Sequence, residues 1–167
     1  RWYRLLYENS LDGILLTKPD GMIIAANPAM CRMLGYTEEE LCTLGRAGVV
    51  DRTDPRLAPA LEQRRQTGGF VGGLTLLAKD GRRIPAEVST RVFTDSDGNE
   101  RTSMFVRDVT ERVRAEESLR TSEERFRLAL QHAPITVYAT DTGLRYTWFY
   151  GPHSRFRPED VIGKRDD

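Results

Sequence analysis

The side chains that most often carry chemistry in proteins are sparse in this sequence. It contains two cysteines, Cys31 and Cys42, and two histidines, His132 and His153. Neither pair has the spacing of a metal-binding motif, and the thiols lie far from the imidazoles along the chain. We therefore predict no metal site. We expect both cysteines to be buried or half-buried thiols in a reducing compartment, rather than zinc ligands or a disulfide.

Motifs for nucleophilic catalysis and for nucleotide binding are also missing from the sequence. No Ser-His-Asp or Cys-His set can be assembled in the first part of the chain, because His132 is its first histidine. The glycine pairs Gly68-Gly69 and Gly72-Gly73 lack the Lys-Ser/Thr context of a phosphate-binding loop. His132 closes a helical stretch without a surrounding kinase pattern, so we interpret it as a helix end rather than a phosphoacceptor. The sequence thus predicts no catalytic residues in this chain.

The overall composition argues against two classes of partner. The 25 basic and 25 acidic residues cancel, so the chain lacks the global positive charge that attracts nucleic acid. No apolar stretch approaches the roughly 20 residues that a membrane-spanning helix needs, and the first residues have no signal-peptide layout. We expect a cytoplasmic piece of a longer protein that contacts neither nucleic acid nor membrane. A membrane anchor elsewhere in the parent protein is left open.

Strand-like runs form the framework on which any site must be placed. Asp-Gly turns at Asp20-Gly21, Asp80-Gly81 and Asp97-Gly98 predict tight hairpins, because Gly adopts positive φ at little energetic cost. From Ile84 to Phe93, apolar and polar residues alternate with the period of two that is typical of a half-buried strand. The predicted strands form a pair and a triplet, at residues 13–17 and 22–26 and at residues 70–78, 84–93 and 101–107.

Helix signals lie between the two groups of strands. Asn27-Pro28 predicts a capped helix that ends at Gly35. The residues from Thr37 to Glu40 have the spacing of a capping box. Asp54-Pro55 predicts a third helix that ends at Gly68.

A long connector helix is predicted from Val109 to Gln131, since this stretch has no Gly or Pro. Asp108 can cap it, with Glu111 reaching back from the third helical position. A heptad reading places Val109, Glu116, Glu123 and Leu130 at one core position and Arg112, Leu119, Phe126 and Ala133 at the other. Because an isolated helix gains little from tertiary contacts, we predict a partner helix. A solvated spacer helix without self-association is the alternative.

Part of the first domain recurs near the end of the chain. Tyr3-Arg4-Leu5 recurs as Phe126-Arg127-Leu128, and Tyr36 to Leu41 matches Phe156 to Val161. The second copy stops before any counterpart of the strand triplet. We therefore predict three parts: a complete domain with an N-terminal helix at residues 1–109, a connector helix at 110–132 and the N-terminal part of a second domain at 133–167.

Several motifs of the first copy occur in combination in one family of sensor domains. They are Asn27-Pro28-Ala29-Met30 with Leu34-Gly35-Tyr36, Lys79-Asp80-Gly81 with Pro85, and the closing Asp108-Val109-Thr110-Glu111-Arg112. Because it carries these motifs, the chain resembles the PAS family. The resemblance is complete over residues 1 to about 112 and partial over residues 124–167. The resemblance implies an α+β fold, in which helices cover one face of a five-stranded antiparallel sheet. A long connector helix and a partial second PAS repeat follow. The second copy resembles PAS domains placed before histidine kinase cores.

The resemblance allows cofactor classes to be tested position by position. Flavin photosensors of the LOV type carry a reactive cysteine in a Gly-Arg-Asn-Cys stretch, whereas the matching stretch here is Gly45-Arg46-Ala47-Gly48. Haem-binding PAS sensors use a histidine on the central helix, and residues 55–67 contain none. We therefore argue against covalent flavin and imidazole-ligated haem in the first domain. The sequence identifies no other cofactor.

The remaining candidate site is an apolar pocket between the helices and the sheet, of a size for a small molecule. Its candidate lining residues are Met30, Met33, Leu34, Leu57, Leu61, Ile84, Val88 and Met104. The same residues would equally make a filled core, so both interpretations stay open.

The predicted function is that of a homodimeric sensory input module, and the resemblance implies a bacterial sensor histidine kinase as the parent. A small ligand or a partner would bias the packing of the first domain, and Asp108 and Thr110 would relay that bias to the connector. The dimer would form through the N-terminal and connector helices. The alternative is a ligand-free PAS dimerisation or interaction module of a cyclase or a transcription regulator.

Overall fold

The computed structural model describes residues 2–132, 135–151 and 154–165. The chain divides into two compact units, one ending at Arg114 and the other beginning at Ala115. The helices are α1 (Trp2–Glu8), α2 (Pro28–Leu34), α3 (Glu38–Leu44), α4 (Arg46–Val49), α5 (Leu57–Thr67), α6 (Thr110–His132) and α7 (Pro158–Val161). The strands are β1 (Gly13–Thr17), β2 (Ile23–Ala26), β3 (Gly69–Leu77), β4 (Arg83–Thr94), β5 (Glu100–Asp108), β6 (Val137–Thr140) and β7 (Tyr146–Tyr150).

The first unit is built on an antiparallel sheet with the strand order β2-β1-β5-β4-β3. The first and last of these strands along the chain are therefore neighbours, and Leu15 of β1 lies opposite Met104 of β5. Along β4, Ile84, Ala86 and Val88 are buried, while the residues between them are more exposed. The period of two in the sequence thus correctly predicted which face of β4 packs on the helices. The predicted α+β fold with a five-stranded antiparallel sheet is confirmed.

The helix ends follow the predicted caps at α2 and α3, and Gly68 ends α5 as predicted, but the start of α5 differs from the prediction. Gly35 ends α2 with a φ of 76°, and Thr37 and Glu40 form the predicted capping box of α3. The third helix was predicted to start at Pro55, but α5 begins at Leu57. The Asp54 carboxylate does not act as a simple cap, because it accepts hydrogen bonds from the next turn and from β3, as described below. The short helix α4 was not predicted.

The connector helix α6 begins at Thr110, close to its predicted start. Asp108 accepts the N–H of Thr110 at 2.8 Å, as expected of a residue at a helix start. The predicted return bond from Glu111 is wrong, because the Glu111 carboxylate instead lies 3.4 Å from the Arg114 guanidinium. The heptad position at Ala133 lies outside the described residues.

The second unit contains a two-stranded antiparallel hairpin of β6 and β7, followed by the single turn α7. Tyr138 and Tyr146 pack edge to face across this hairpin, with ring centroids 5.2 Å apart. Among the residues that the structure describes, no helix combines the length and the apolar character needed to cross a lipid bilayer.

Asn27 is completely buried and connects three segments of the first unit through four hydrogen bonds. Its Oδ1 atom accepts the N–H groups of Ile14 and Met30 at 2.8 and 2.9 Å. Its Nδ2 atom donates to the carbonyl oxygens of Tyr7 and Asp12 at 3.2 and 3.0 Å. Both amide donors and both acceptor positions are therefore used. This one side chain fixes the end of α1, the start of β1 and the first turn of α2 relative to one another.

We expect Asn27→Asp to destabilise the first unit by about 3 kcal/mol. The substitution places a carboxylate oxygen opposite the two carbonyl oxygens that Asn27 now donates to, with no change in size. Urea denaturation followed by circular dichroism measures the free energy of unfolding. The matched control is Asn9→Asp, since Asn9 is exposed and donates only to the carbonyl of Leu5. Equal losses in both variants would contradict a central role for Asn27.

Candidate functional site

The eight predicted pocket residues lie in the core of the first unit or against it. The buried ones are Met30, Leu34, Ile84, Val88 and Met104, and the half-buried ones are Met33, Leu57 and Leu61. Leu57, Leu61, Val88 and Met104 border a void of about 20 Å³ beneath α5. That volume is roughly the size needed for one water molecule, so the space at these four residues is nearly filled. The ligand pocket at these eight residues stays a prediction.

A larger cleft of about 620 Å³ adjoins this void, at the end of the sheet near the β1–β2 turn. Arg46, Leu61 and Arg64 line both spaces. The other residues of the cleft are Pro19, Arg65, Gly68, Val92, Glu100 and Thr102. The side chains of Arg46 and Arg64 therefore lie where the apolar interior opens to solvent.

Arg46 is held in this cleft by the turn between β1 and β2. Its backbone N–H donates to the carbonyl of Gly21 at 2.8 Å. Its guanidinium also packs so closely on Gly21 that a Cβ atom there would lie 3.0 Å from Cζ. Burial lowers the pKa of the Arg46 guanidinium, and the charge of Asp20 opposes that shift. Within the described part of the chain, the buried Nη1 atom of Arg46 has no hydrogen-bond partner.

Arg64 reaches the same turn from α5, where its Nη2 atom lies 3.4 Å from the carbonyl oxygen of Pro19. Burial lowers the pKa of Arg64, and the positive charge of Arg46 lowers it further. The sequence analysis missed both arginines as site residues. The sequence does contain a pattern that could have identified Arg64. This residue follows Leu57 and Leu61 at helical spacing and therefore shares their face of α5.

A pair of buried carboxylates fixes the loop that leads into α5. The Asp54 carboxylate accepts hydrogen bonds from the N–H groups of Arg56 and Thr75 and from the Arg56 guanidinium at 2.8 to 3.0 Å. The guanidinium bonds hold the pKa of Asp54 well below its usual range. Asp51 accepts two bonds from Thr53 and pairs with Arg83 of β4. Through this loop the sheet sets the position of the α5 residues that line the cleft.

The opposite face of the sheet carries a groove of about 450 Å³. It is lined by Asp12, Val71, Gly72, Gly73, Glu87, Val88, Ser89, Phe105, Val106 and Arg107. Val71 and Phe105 are exposed there, by 77% and 49%, although both lie on strands. The outer face of the sheet is thus partly apolar rather than fully polar.

The predicted relay residues lie where the sheet passes into α6. After Asp108, the N–H of Val109 donates to the carbonyl of Pro85 on β4 at 3.0 Å. One turn along α6, Arg112 pairs with Glu87 of β4 at 2.6 Å. The start of the connector is therefore tied to β4 as well as to β5, from which it continues.

The two thiols are free and half-buried. Burial raises the pKa of both Cys31 and Cys42, and the nearby charge of Glu38 raises each further. Raised thiol pKa values correspond to low nucleophilicity. Among the described residues, no group of His, Cys, Asp and Glu could hold a metal ion. His153 and the side chain of His132 lie outside the described part of the structure.

Comparison with known proteins gives one family match and several structural relatives. A family model described as "PAS domain" matches residues 11–111. The sensor histidine kinase TmoS of Ectopseudomonas mendocina is 33% identical over 126 residues, which are 71% of this chain and 12% of that protein. The chain thus spans only a small part of this relative.

Two solved structures illustrate the similarity of fold. A domain of a sensory box sensor histidine kinase/response regulator from Geobacter sulfurreducens is 27% identical, with a TM-score of 0.52. The match covers 64% of this chain and 91% of that one. A sensory box histidine kinase/response regulator from Burkholderia thailandensis is 21% identical, with a TM-score of 0.58, over 76% of this chain and 98% of that one. The second match supports the fold alone.

We expect Asp54→Asn to lower the free energy of unfolding at neutral pH by about 2 kcal/mol, because hydrogen bonds to a charged acceptor are lost. The pKa of Asp54 is lower in the folded protein than its unfolded value of about 3.9. Its contribution is therefore complete above roughly pH 5 and is lost as the pH falls toward the folded pKa. The difference between wild type and variant should shrink below about pH 4, which urea denaturation across a pH series measures. Asp97→Asn, in an exposed turn, should show no such dependence.

Proposed function

This chain belongs to the PAS domain family, and from that premise we propose that it is the sensory input module of a bacterial sensor histidine kinase. The family match makes it a sensory domain that is homologous to those of sensor histidine kinases. That the parent is a kinase is supported by the relative in Ectopseudomonas mendocina. The parts of the module are those predicted above: a PAS domain at residues 1–109, a connector at 110–132 and the start of a second PAS domain at 133–167.

The observation that carries this proposal is the continuity of the central strand β5 with the connector helix α6. Only Val109 separates the two elements. Any change in the packing of the sheet that moves β5 relative to β4 also acts on Val109 and Arg112, through their contacts with Pro85 and Glu87. Asp108 and Thr110 are proposed as the relay, because the Asp108 carboxylate holds the first N–H of α6.

A homodimer through α1 and α6 is part of the proposal. No residue of α1 is buried, and Trp2 and Leu6 of this helix are 79% and 72% exposed. On α6, Leu119 and Phe126 are 62% and 55% exposed and lie seven residues apart. Such exposed apolar side chains at heptad spacing are typical of a helix that pairs with another helix. We place the module in the cytoplasm, where its free thiols stay reduced.

A second candidate function is the ligand-free dimerisation module of a cyclase or a transcription regulator. The small size of the void beneath α5 favours it, since a nearly filled apolar core leaves little room for an apolar ligand. The cleft at Arg46 and Arg64 favours the ligand-sensing module instead, because its volume lies within the range of about 300–1,000 Å³ that is usual for small-molecule sites.

We expect the double substitution Asp108→Ala with Thr110→Ala to change the autophosphorylation rate of the full-length parent at least about fivefold, the lower end of typical allosteric couplings. The melting temperature of the parent should stay close to that of the wild type. The control pair is Thr94→Ala with Asp97→Ala, which are exposed and lie at the far end of β4. An unaltered rate in the junction variant would remove the relay role from these two residues.

We expect Leu119→Glu with Phe126→Glu to convert the dimer into monomers, because two charges would enter the seam between the connector helices. Analytical ultracentrifugation of the full chain measures the change in mass. Ser118→Glu with Thr121→Glu adds the same charge on exposed positions of α6 outside the predicted seam and should leave the dimer intact. A monomeric wild type, or dimers in both variants, would contradict pairing through this seam.

A further inference from the structure

Four of the six buried polar side-chain atoms without a hydrogen-bond partner among the described residues lie near one end of the core, beside the cleft; the other two belong to Tyr7 and Asp51. Besides Nη1 of Arg46, the hydroxyl oxygens of Thr17, Thr90 and Thr102 are buried without a hydrogen-bond partner among the described residues. These threonines lie on the three adjacent strands β1, β4 and β5, and Thr17 faces Thr102 directly in the register of the sheet. A buried polar group that lacks a partner costs roughly 1–3 kcal/mol. Such groups are rarely left together without a function.

The charges around the cleft are also unbalanced. Arg46 and Arg64 both line it, and neither forms an ion pair with an acidic side chain among the described residues. Arg65 is already paired with Glu62. Glu100 lines the same cleft and is the one acidic residue of its lining. Two arginines, of which Arg46 lies close enough to lower the pKa of Arg64, therefore share one cavity with a single carboxylate.

The Arg46 guanidinium is also preorganised. The Arg46 backbone is held by its bond to the carbonyl of Gly21, and its guanidinium packs on Gly21, whose φ of 100° disfavours a larger residue there. A guanidinium that is already held in place loses little conformational freedom when it binds a ligand. Its planar set of donors matches the two oxygens of a carboxylate or of a phosphate.

We propose that this cleft binds a small molecule with an oxyanion group, a carboxylate or a phosphate, attached to a compact apolar body. Arg46 and Arg64 hold the oxyanion. The apolar body lies against Leu61 and Val92, which line the same space. The inference rests on the proposed sensory function and gives the chemical class of its ligand.

A consequence for the sensor follows from the elements that the cleft joins. Arg46 belongs to α4, Arg64 to α5, and Thr102 and Glu100 to β5. An anion that neutralises both arginines would draw α4 and α5 toward the start of β5, the end opposite to the one that continues into the connector. Binding at this cleft thus acts on the strand that ends at the relay residue Asp108, and it requires no ligand in the apolar core.

Isothermal titration calorimetry on the purified full chain tests the inference, with benzoate, phenyl phosphate and neutral benzamide as probes at constant ionic strength. We expect at least one of the two anions to bind at least tenfold more tightly than benzamide. Tighter binding of benzoate indicates a carboxylate site, and tighter binding of phenyl phosphate indicates a phosphate site. Arg46→Gln should weaken binding of the tighter anion at least tenfold, about 1.4 kcal/mol. The control Arg91→Gln, at an exposed position of β4, should bind as the wild type does.

The free proteins provide a second readout. If Arg46 serves a ligand, the unliganded Arg46→Gln variant should melt no lower than the wild type, because a buried unpaired charge is removed. If its role were only to pack on Gly21, the variant would melt lower and still bind the anion. Should Arg46→Gln fail to fold, Arg64→Gln carries the same binding test.

Equal binding of benzamide and the anions would overturn the oxyanion class, and so would unchanged anion binding in both arginine variants. Binding of none of the probes would overturn the site itself. The relay in the parent protein is measured by the junction variants without any of these probes, so its failure is distinguishable from the failure of this inference.

Discussion

The buried amide of Asn27 is the interaction on which the arrangement of the first unit depends. Its four hydrogen bonds connect α1, β1 and α2 within one completely buried side chain. A buried amide is stabilising only when all of its donors and acceptors are satisfied, so these segments must meet in one geometry. Because β1 lies beside β5 in the sheet, fixing β1 also fixes the strand that continues into the connector. A series of contacts therefore connects Asn27 to α6 through β1 and β5.

The contacts in the core and the contacts near the start of α6 differ in how deeply they are buried. Asn27 and Asp54 are buried and fully hydrogen-bonded, and their replacement would leave uncompensated groups in the interior. The pairs at the start of α6, Arg112 with Glu87 and Arg107 with Asp12, are about half exposed and solvent-screened. Such surface pairs contribute roughly 0–1 kcal/mol each. A rigid core joined to its output helix by weak contacts is suited to a switch, since a small difference in binding free energy can change the junction without unfolding the domain.

The cleft at Arg46 is unusual in this domain because, unlike Asn27 and Asp54, its buried polar groups are not fully hydrogen-bonded. Several buried polar atoms without hydrogen-bond partners among the described residues, a guanidinium nitrogen and three threonine hydroxyls, lie at this end of the core, and the hydroxyl of Tyr7 is a further one elsewhere. Unused hydrogen-bonding capacity beside a space of about 620 Å³ is what a recognition site needs before its ligand arrives. The apolar interior, which is nearly filled, supplies stability instead. The core and the proposed recognition site are therefore adjacent but separate parts of the fold.

Local signals in the sequence determined the strands, the three predicted helices between them apart from the start of α5, and the long connector. Asn27-Pro28, the Asp-Gly turns and the alternation along β4 each act over a few residues, and tertiary contacts agree with them. The sequence could not place the start of α5, because Asp54 bonds to Thr75, 21 residues away. It also named apolar residues as the pocket, since apolar side chains between helices and sheet predict a core and a cavity equally well. Only the tertiary structure brought Arg46 and Arg64 together at the turn of Gly21, because their proximity depends on how three distant segments pack.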